Sequence, residues 1–103
     1  MRKNIFYDKG ALRELYALNR EAQKDFQACI EVLGFEGKLE FPDARKVTRS
    51  LYEIRVSQGN IYRGFYAYVG KDYIVILHFF QKKTQKTPQR NIKTAQQRLQ
   101  KYV

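Results

Sequence analysis

Two helices, a three-strand antiparallel meander and a short last helix make up the α+β domain this sequence predicts. Three observations lead there. Apolar residues recur at helical spacing between Leu12 and Leu33, the period changes from 3.6 to 2 at Leu51, and Thr87-Pro88 gives a helix-start signal after the last apolar run. Helices gathered before and after the strands, rather than alternating with them, point to α+β, with the helices covering one face of the sheet. At 103 residues the chain is expected to be one domain, residues 1–103, with a single modest core.

The elements follow in order. Asn4-Ile-Phe-Tyr7 reads as a short first strand closed by Asp8-Lys-Gly10. Leu12, Leu15 and Tyr16 then share one side of a helix. Asn19 is an N-cap for a second helix from about Arg20 to Leu33, whose Ala22, Phe26, Cys29, Ile30 and Leu33 fall within about one third of the circumference. Gly34 fits a C-cap. Two helices joined at Asn19 are expected, with one bent helix as the alternative. Residues 35–50, with Gly37, Pro42 and mixed charges, read as a connecting loop.

In Leu51-Tyr-Glu-Ile-Arg-Val56 the residues Tyr52, Ile54 and Val56 point one way, Glu53 and Arg55 the other. Ser57-Gln-Gly-Asn60 is turn chemistry, so Ile61 to Val69 should return as a hairpin, and Gly70-Lys-Asp72 makes the next turn. Tyr73 to Phe80 is almost wholly apolar and β-branched, as a strand covered on both faces requires. The last helix should have a Thr87 hydroxyl N-cap and Pro88 in its first position. It places Ile92, Ala95, Leu99 and Tyr102 inward, with Arg90, Lys93, Arg98 and Lys101 outward.

Charge separates the halves. The formal net charge of +10 divides into +2 over residues 1–50 and +8 over 51–103, where Glu53 and Asp72 are the only acids. From Gln81 onward Lys82, Lys83, Lys86, Arg90, Lys93, Arg98 and Lys101 occur with no acid at all. That imbalance is the footprint of a polyanion-binding face, nucleic acid first, with an acidic protein or a membrane surface less often. A lone Cys29 excludes an intramolecular disulfide and a cysteine-based metal site, and fits a reducing, cytoplasmic setting. No run approaches a membrane span, and the N-terminus lacks a signal-peptide core, so no membrane role is expected.

Three segments, Leu51-Tyr-Glu-Ile-Arg-Val56, Ile61-Tyr-Arg-Gly-Phe-Tyr66 and Val75 through Phe80-Gln-Lys-Lys-Thr-Gln-Lys-Thr-Pro88, resemble the RelE/HigB superfamily of toxins, within the RelE/ParE group. The Phe80–Pro88 run resembles its HigB-like, phage-related branch most specifically. The resemblance implies a RelE-like fold and a ribosome-dependent endoribonuclease (an mRNA interferase) that enters the ribosomal A site and cleaves mRNA. It also implies neutralisation by a cognate HigA-like antitoxin, in a complex bound to operator DNA through the antitoxin. No metal or other cofactor is implied.

Such cleavage drives a ribose 2′-OH onto the adjacent phosphate, which needs a base, charge compensation and a proton for the leaving oxygen. By position, Arg55 and Arg63 match the family's basic residues on the hairpin, and Lys82 and Lys83 those after the last central strand. Arginine suits phosphate clamping. Lysine can act as base only if its proton affinity falls, since at a pKa of about 10.4 roughly one in 2,500 is neutral at pH 7. Lys82 and Lys83 are both candidates.

Where RelE itself places a tyrosine near the start of the last helix, this chain has Pro88, Gln89 and Arg90, and Tyr102 lies too far along to stand in. His78, the only histidine, is therefore a rival base, although its apolar strand suits a core residue equally. Lys86, Arg90, Lys93 and Lys101 are candidates for general RNA or ribosome contacts. Tyr62, Tyr66 and Tyr68 can stack on bases, but strands favour tyrosine anyway. A ParE-like gyrase inhibitor and a non-catalytic RNA-binding relative remain open alternatives.

Overall fold

The three strands expected between Leu51 and Phe80 form, the expected short first strand joins them, and one further strand appears. The computed structural model describes residues 1–86 and 88–103, Gln58 without its side chain. Its strands are Asn4–Tyr7 (β1), Ala44–Lys46 (β2), Tyr52–Gln58 (β3), Asn60–Val69 (β4) and Tyr73–Lys82 (β5); its helices are Lys9–Ala17 (α1), Arg20–Glu36 (α2) and Gln89–Leu99 (α3). They build one five-stranded sheet in the order β1-β5-β4-β3-β2. β2 to β5 are antiparallel, whereas β1 runs parallel to β5 with Asn4 opposite Tyr73. The expected three-strand antiparallel meander is present as β3-β4-β5, and the parallel β1 at its edge makes the whole sheet mixed. β2 also lies inside the stretch read as a loop. Only Ala44 of its three residues is buried, so it has no alternating apolar signature.

Helices cover both faces rather than one. Ile54, Val56, Tyr62, Tyr66, Ile74, Ile76 and Phe79 meet Ala11, Leu15, Ala22, Phe26, Ile30 and Leu33 of α1 and α2. Leu51, Phe65, Ala67, Val75, Leu77 and Phe80 meet Ile92, Ala95 and Leu99 of α3 on the other side. The expected inward face of α3 is thus correct.

A bulge fixes which β5 residues face which way. Phe65 pairs with His78 but Tyr66 pairs with Ile76, leaving Leu77 without a partner. Before it, Ile74 and Ile76 face α1 and α2; after it, Phe79 does. His78, Phe80 and Lys82 are thereby turned to the face that carries α3, together with Glu53, Arg55 and Arg63 from β3 and β4.

The helix ends show why some boundaries moved. Asp8 caps α1, accepting from the Gly10 N–H at 2.9 Å, so Lys9 and Gly10 belong to the helix rather than to a turn. Asn19 caps α2 as expected, accepting from Ala22 N at 2.8 Å. α2 runs past Gly34, which is buried with Ile5 against it, and stops at Gly37, whose φ of 82° permits the left-handed cap. Pro88 is the N-cap of α3, not its first helical residue, and makes no side-chain cap bond. The expected Thr87 cap lies outside the described residues.

α3 is pinned to the N-terminal elements by polar contacts that its periodicity conceals. Arg98, expected outward, turns in and forks onto Glu14 with bonds of 2.9 and 3.1 Å, and also donates to the Leu77 carbonyl at 2.9 Å. Tyr102 donates to Asp8 at 2.7 Å, and Lys101 pairs with the same carboxylate oxygen at 2.6 Å. Burial opposes ionisation of Asp8, but its bonds from Lys101, Tyr102 and the Gly10 N–H prevail and hold its pKa below the usual carboxylate value. Glu14 is likewise depressed, burial being outweighed by His78 and Arg98.

Depressed carboxyl pKa values contribute stability that is present above the unfolded-state pKa and is lost as pH falls through the folded value. Urea unfolding from about pH 6 down to about pH 3 should show falling stability, with a shallower slope in Asp8→Asn. Gly64→Ala should destabilise by about 1–3 kcal/mol in the same assay. A Cβ there would lie 2.9 Å from the Phe79 ring and 3.2 Å from that of Phe26.

Candidate functional site

The face shared by β3, β4 and the end of β5 extends beyond α3, and cations collect there. Arg45 of β2, Arg55 of β3, Ile61 and Arg63 of β4 and Lys82 of β5 line a cavity of about 620 Å³, closed by Lys83, Thr84 and Gln85. Strand register places them. Arg55 stands opposite Arg63, Ile61 opposite Lys82, and Arg45 opposite Glu53. Five cationic side chains line this wall with no carboxylate among them. A second cavity of about 570 Å³, between β1 and α2, mixes Arg2 and Lys3 with Glu31 and apolar groups and has no such convergence.

Beneath the cations lies one carboxylate. Glu53 is fully buried, and its Oε2 accepts from Arg45 Nε at 2.7 Å. Its Oε1 is 3.6 Å from Arg63 Nε, and both of those atoms are buried without a hydrogen-bond partner. Arg63 is only 5% exposed and donates through Nη1 to the Tyr62 carbonyl at 2.9 Å. Burial lowers its pKa; Glu53 opposes that, while Arg55 and Arg45 add to it. The Arg55 guanidinium lies 5.6 Å from the centre of the Phe41 ring.

Lys82 is the titratable group this arrangement prepares. Burial first and then Arg63 push its pKa below the ordinary lysine value; Glu53 opposes them, and Arg45 and Arg55 add weaker pushes downward. A raised neutral fraction is what a lysine base requires. Arginine forks beside it can bind a phosphate and offset charge that develops on it.

The other sequence candidates are distributed differently. His78 is 7% exposed and does not line the cationic cavity. The Asn91 amide donates to its Nε2 at 2.8 Å, which leaves the proton on Nδ1 to bond Glu14 at 2.9 Å. Its ring stacks on Phe80 at 5.3 Å. Arg90 lines an adjoining cavity of about 320 Å³ with Phe80, Gln81, Pro88 and Asn91, which shares Lys83 and Thr84 with the first. Lys86 and Lys93 are exposed, and Lys101 is engaged with Asp8.

Tyr62 and Tyr66 are buried, and Tyr68 donates to the Gly37 carbonyl at 3.0 Å, so these tyrosines serve the core. Tyr102, pushed up to about 12 by burial and its bond to Asp8, is committed to the α3 attachment. Among the described residues no cluster of His, Cys, Asp or Glu could hold a metal ion. No described helix is long and apolar enough to cross a membrane.

Sequence reasoning missed Arg45 and Glu53. Arg45 fell in the segment read as a loop. Glu53 carried a signal: it alternates with Tyr52 and Ile54 onto the side of Arg55, and is one of two acids after residue 50.

The fold and family have known counterparts. The structure superposes on the isolated Escherichia coli RelE toxin with a TM-score of 0.62 at 16% identity, covering 88% of this chain and 96% of that one. The intact E. coli RelBE toxin–antitoxin complex matches with a TM-score of 0.62 at 17% identity, over 80% of this chain and 99% of the matched chain. The Mycobacterium tuberculosis RelBE2 toxin–antitoxin complex matches at 0.55 and 18%, over 80% and 100%. A comparison with curated proteins finds no match. The family model described as "Phage derived protein Gp49-like (DUF891)" matches residues 13–100. With that match over most of its length, the chain belongs to the Gp49-like phage-derived family and carries the fold of the RelE toxins.

Proposed function

We propose that this chain is the HigB-like toxin of a toxin–antitoxin pair and cleaves mRNA on the translating ribosome. The observation that carries this reading is the convergence of Arg45, Arg55, Arg63, Lys82 and Lys83 in one cavity. A toxin acting on a protein target has no need of such a convergent cation cluster.

Lys82 takes the proton from the ribose 2′-OH as that oxygen attacks the adjacent phosphorus. The P–O5′ bond breaks, leaving a 2′,3′-cyclic phosphate, and the departing 5′ oxygen receives a proton, for which Lys83 at the mouth is the available ammonium. Arg55 and Arg63 offset the extra charge on the phosphorane. Lys86, Arg90 and Lys93 extend the positive surface toward mRNA and ribosomal RNA. Lys101, occupied by Asp8, contributes less. The reaction requires no metal or other cofactor.

A cognate, HigA-like antitoxin, presenting an acidic segment, is the partner whose charge matches the cavity. The complex would then reach operator DNA through the antitoxin, and the setting is the cytoplasm, where ribosomes translate.

Primer extension on a defined mRNA, with and without stalled ribosomes, should show A-site cleavage only when ribosomes are present. No cleavage in either case, from folded protein that antitoxin still binds, would overturn the reading in favour of gyrase inhibition or an inactive relative. Lys82→Ala and Arg63→Ala should each lower the cleavage rate by about 10²–10³ in protein that remains folded. Neutral Lys82 being the active form, the rate should rise with pH and level off below the ordinary lysine pKa, a limb that Lys82→Ala removes. Binding of a single-stranded oligonucleotide should weaken with salt at a log–log slope of about −3 if four cations contact phosphates.

A further inference from the structure

Glu53 is costly where it stands. A carboxylate withdrawn from water loses several kcal/mol of hydration, and a well-packed apolar side chain at such a position is often equally or more stabilising. Yet Glu53 is fully buried and only one of its oxygens has a hydrogen bond. It sits on the middle strand of three, with Arg45 on one side at 2.7 Å and Arg63 on the other at 3.6 Å. Arg45 is half exposed toward the cavity, and Arg63 forms its buried floor.

We infer that Glu53 is a positioning residue, a buried carboxylate that holds the Arg45 and Arg63 guanidinium groups at a set spacing so that both meet one phosphate of the RNA. This rests on the RNA-cleaving reading above and adds the device that presets its cations. The spacing follows from the sheet. β2 and β4 flank β3, so one carboxylate on β3 can face a guanidinium from each neighbour. The free Oε1 and the free Arg63 Nε face each other just beyond bonding distance, so a shift of a few tenths of an ångström joins them. A phosphate drawing Arg45 outward leaves Glu53 with Arg63 as its remaining partner, so binding and floor alignment are coupled.

The negative charge also touches the proton transfer. Lys82 is faced by Arg63 from β4, Arg55 and Glu53 from β3, and Arg45 from β2, with Lys83 next in sequence. Of these, Glu53 alone favours the protonated lysine. Removing its charge should make Lys82 lose its proton more readily. A merely structural ion pair would lower stability on substitution and leave kcat and the arginine signals in place.

The test compares wild type with Glu53→Gln in ribosome-dependent cleavage across pH, with thermal unfolding alongside. Expected are a kcat lower by about 10–100-fold, a KM within about threefold, and a pH limb moved toward acid. In parallel, the Nε–H NMR signals of Arg45 and Arg63 are followed while a 2′-deoxy oligonucleotide is added. Wild type should show slow-exchanging arginine signals that shift on binding. Glu53→Gln should bind the oligonucleotide as tightly or more so, with those signals averaged.

A folded Glu53→Gln protein with wild-type kcat, pH limb and arginine signals overturns the inference. Should that variant not fold, Arg45→Lys, which keeps the charge and loses the Nε contact, must show the same kcat loss with unchanged KM; wild-type kcat there also overturns it. If the wild type cleaves nothing, the RNA-cleavage reading fails, and the arginine signals alone decide whether Glu53 positions the pair.

Discussion

Because Leu77 has no partner on β4, β5 changes phase partway along, and the character of both sheet faces follows from that one extra residue. Up to Ile76 the even positions feed the α1/α2 core; beyond the bulge Phe79 does. Without it, His78, Phe80 and Lys82 would point at Phe26 and α2, and a lysine would be forced into an apolar layer. With it, the same residues join Glu53, Arg55 and Arg63 on the opposite face. The bulge turns the last strand from a core element into one wall of a cationic cavity, and costs only one unpaired position in the ladder.

Repulsion among the cavity cations is contained by two means. Glu53 neutralises part of their charge from within, and β-sheet register holds the rest in place. Their backbones are fixed by ladders whose hydrogen bonds do not depend on the side chains, so the charges need no mutual attraction to stay together. Burial first, and then the repulsion that remains, lower the proton affinity of Arg63 and Lys82. An arriving phosphate would relieve that repulsion, which is how a site can be stable when empty and still attract a polyanion.

Local rules made much of this fold legible. Asn19 has a side chain that caps, Gly59 and Gly70 take positive φ at their turns, and Tyr52, Ile54 and Val56 alternate as a half-buried strand must. What stayed hidden depends on partners distant in sequence. β1 pairs with a strand some seventy residues away, with no turn between them to announce a parallel register. β2 is too short and too charged for a period. Gly34 resembles a cap until Ile5 is packed against it. Arg98 sits on the polar arc of α3 by spacing, yet Glu14 and Asp8 draw it in. In the cavity, Lys82 and Lys83 were readable as part of an acid-free charge run and Arg55 and Arg63 through the family resemblance, whereas Arg45 and the partners of Glu53 emerged only through cross-strand pairing.

The same geometry separates His78 from Lys82 as candidate bases. A base needs a lone pair directed at its substrate. The only unprotonated nitrogen of His78 receives the Asn91 amide, and its N–H is held by a carboxylate that Arg98 also grips. To act, the ring would have to leave two hydrogen bonds and a stacking contact with Phe80. His78 instead ties the first turn of α3 to α1, through Asn91 on one side and Glu14 on the other. Lys82 has the opposite situation. It borders the cavity directly, and burial together with the neighbouring guanidinium groups loosens its hold on its proton. Of His78 and Lys82, the lysine thus borders the cavity with a lowered proton affinity, whereas the histidine is tied into the structure by its hydrogen bonds.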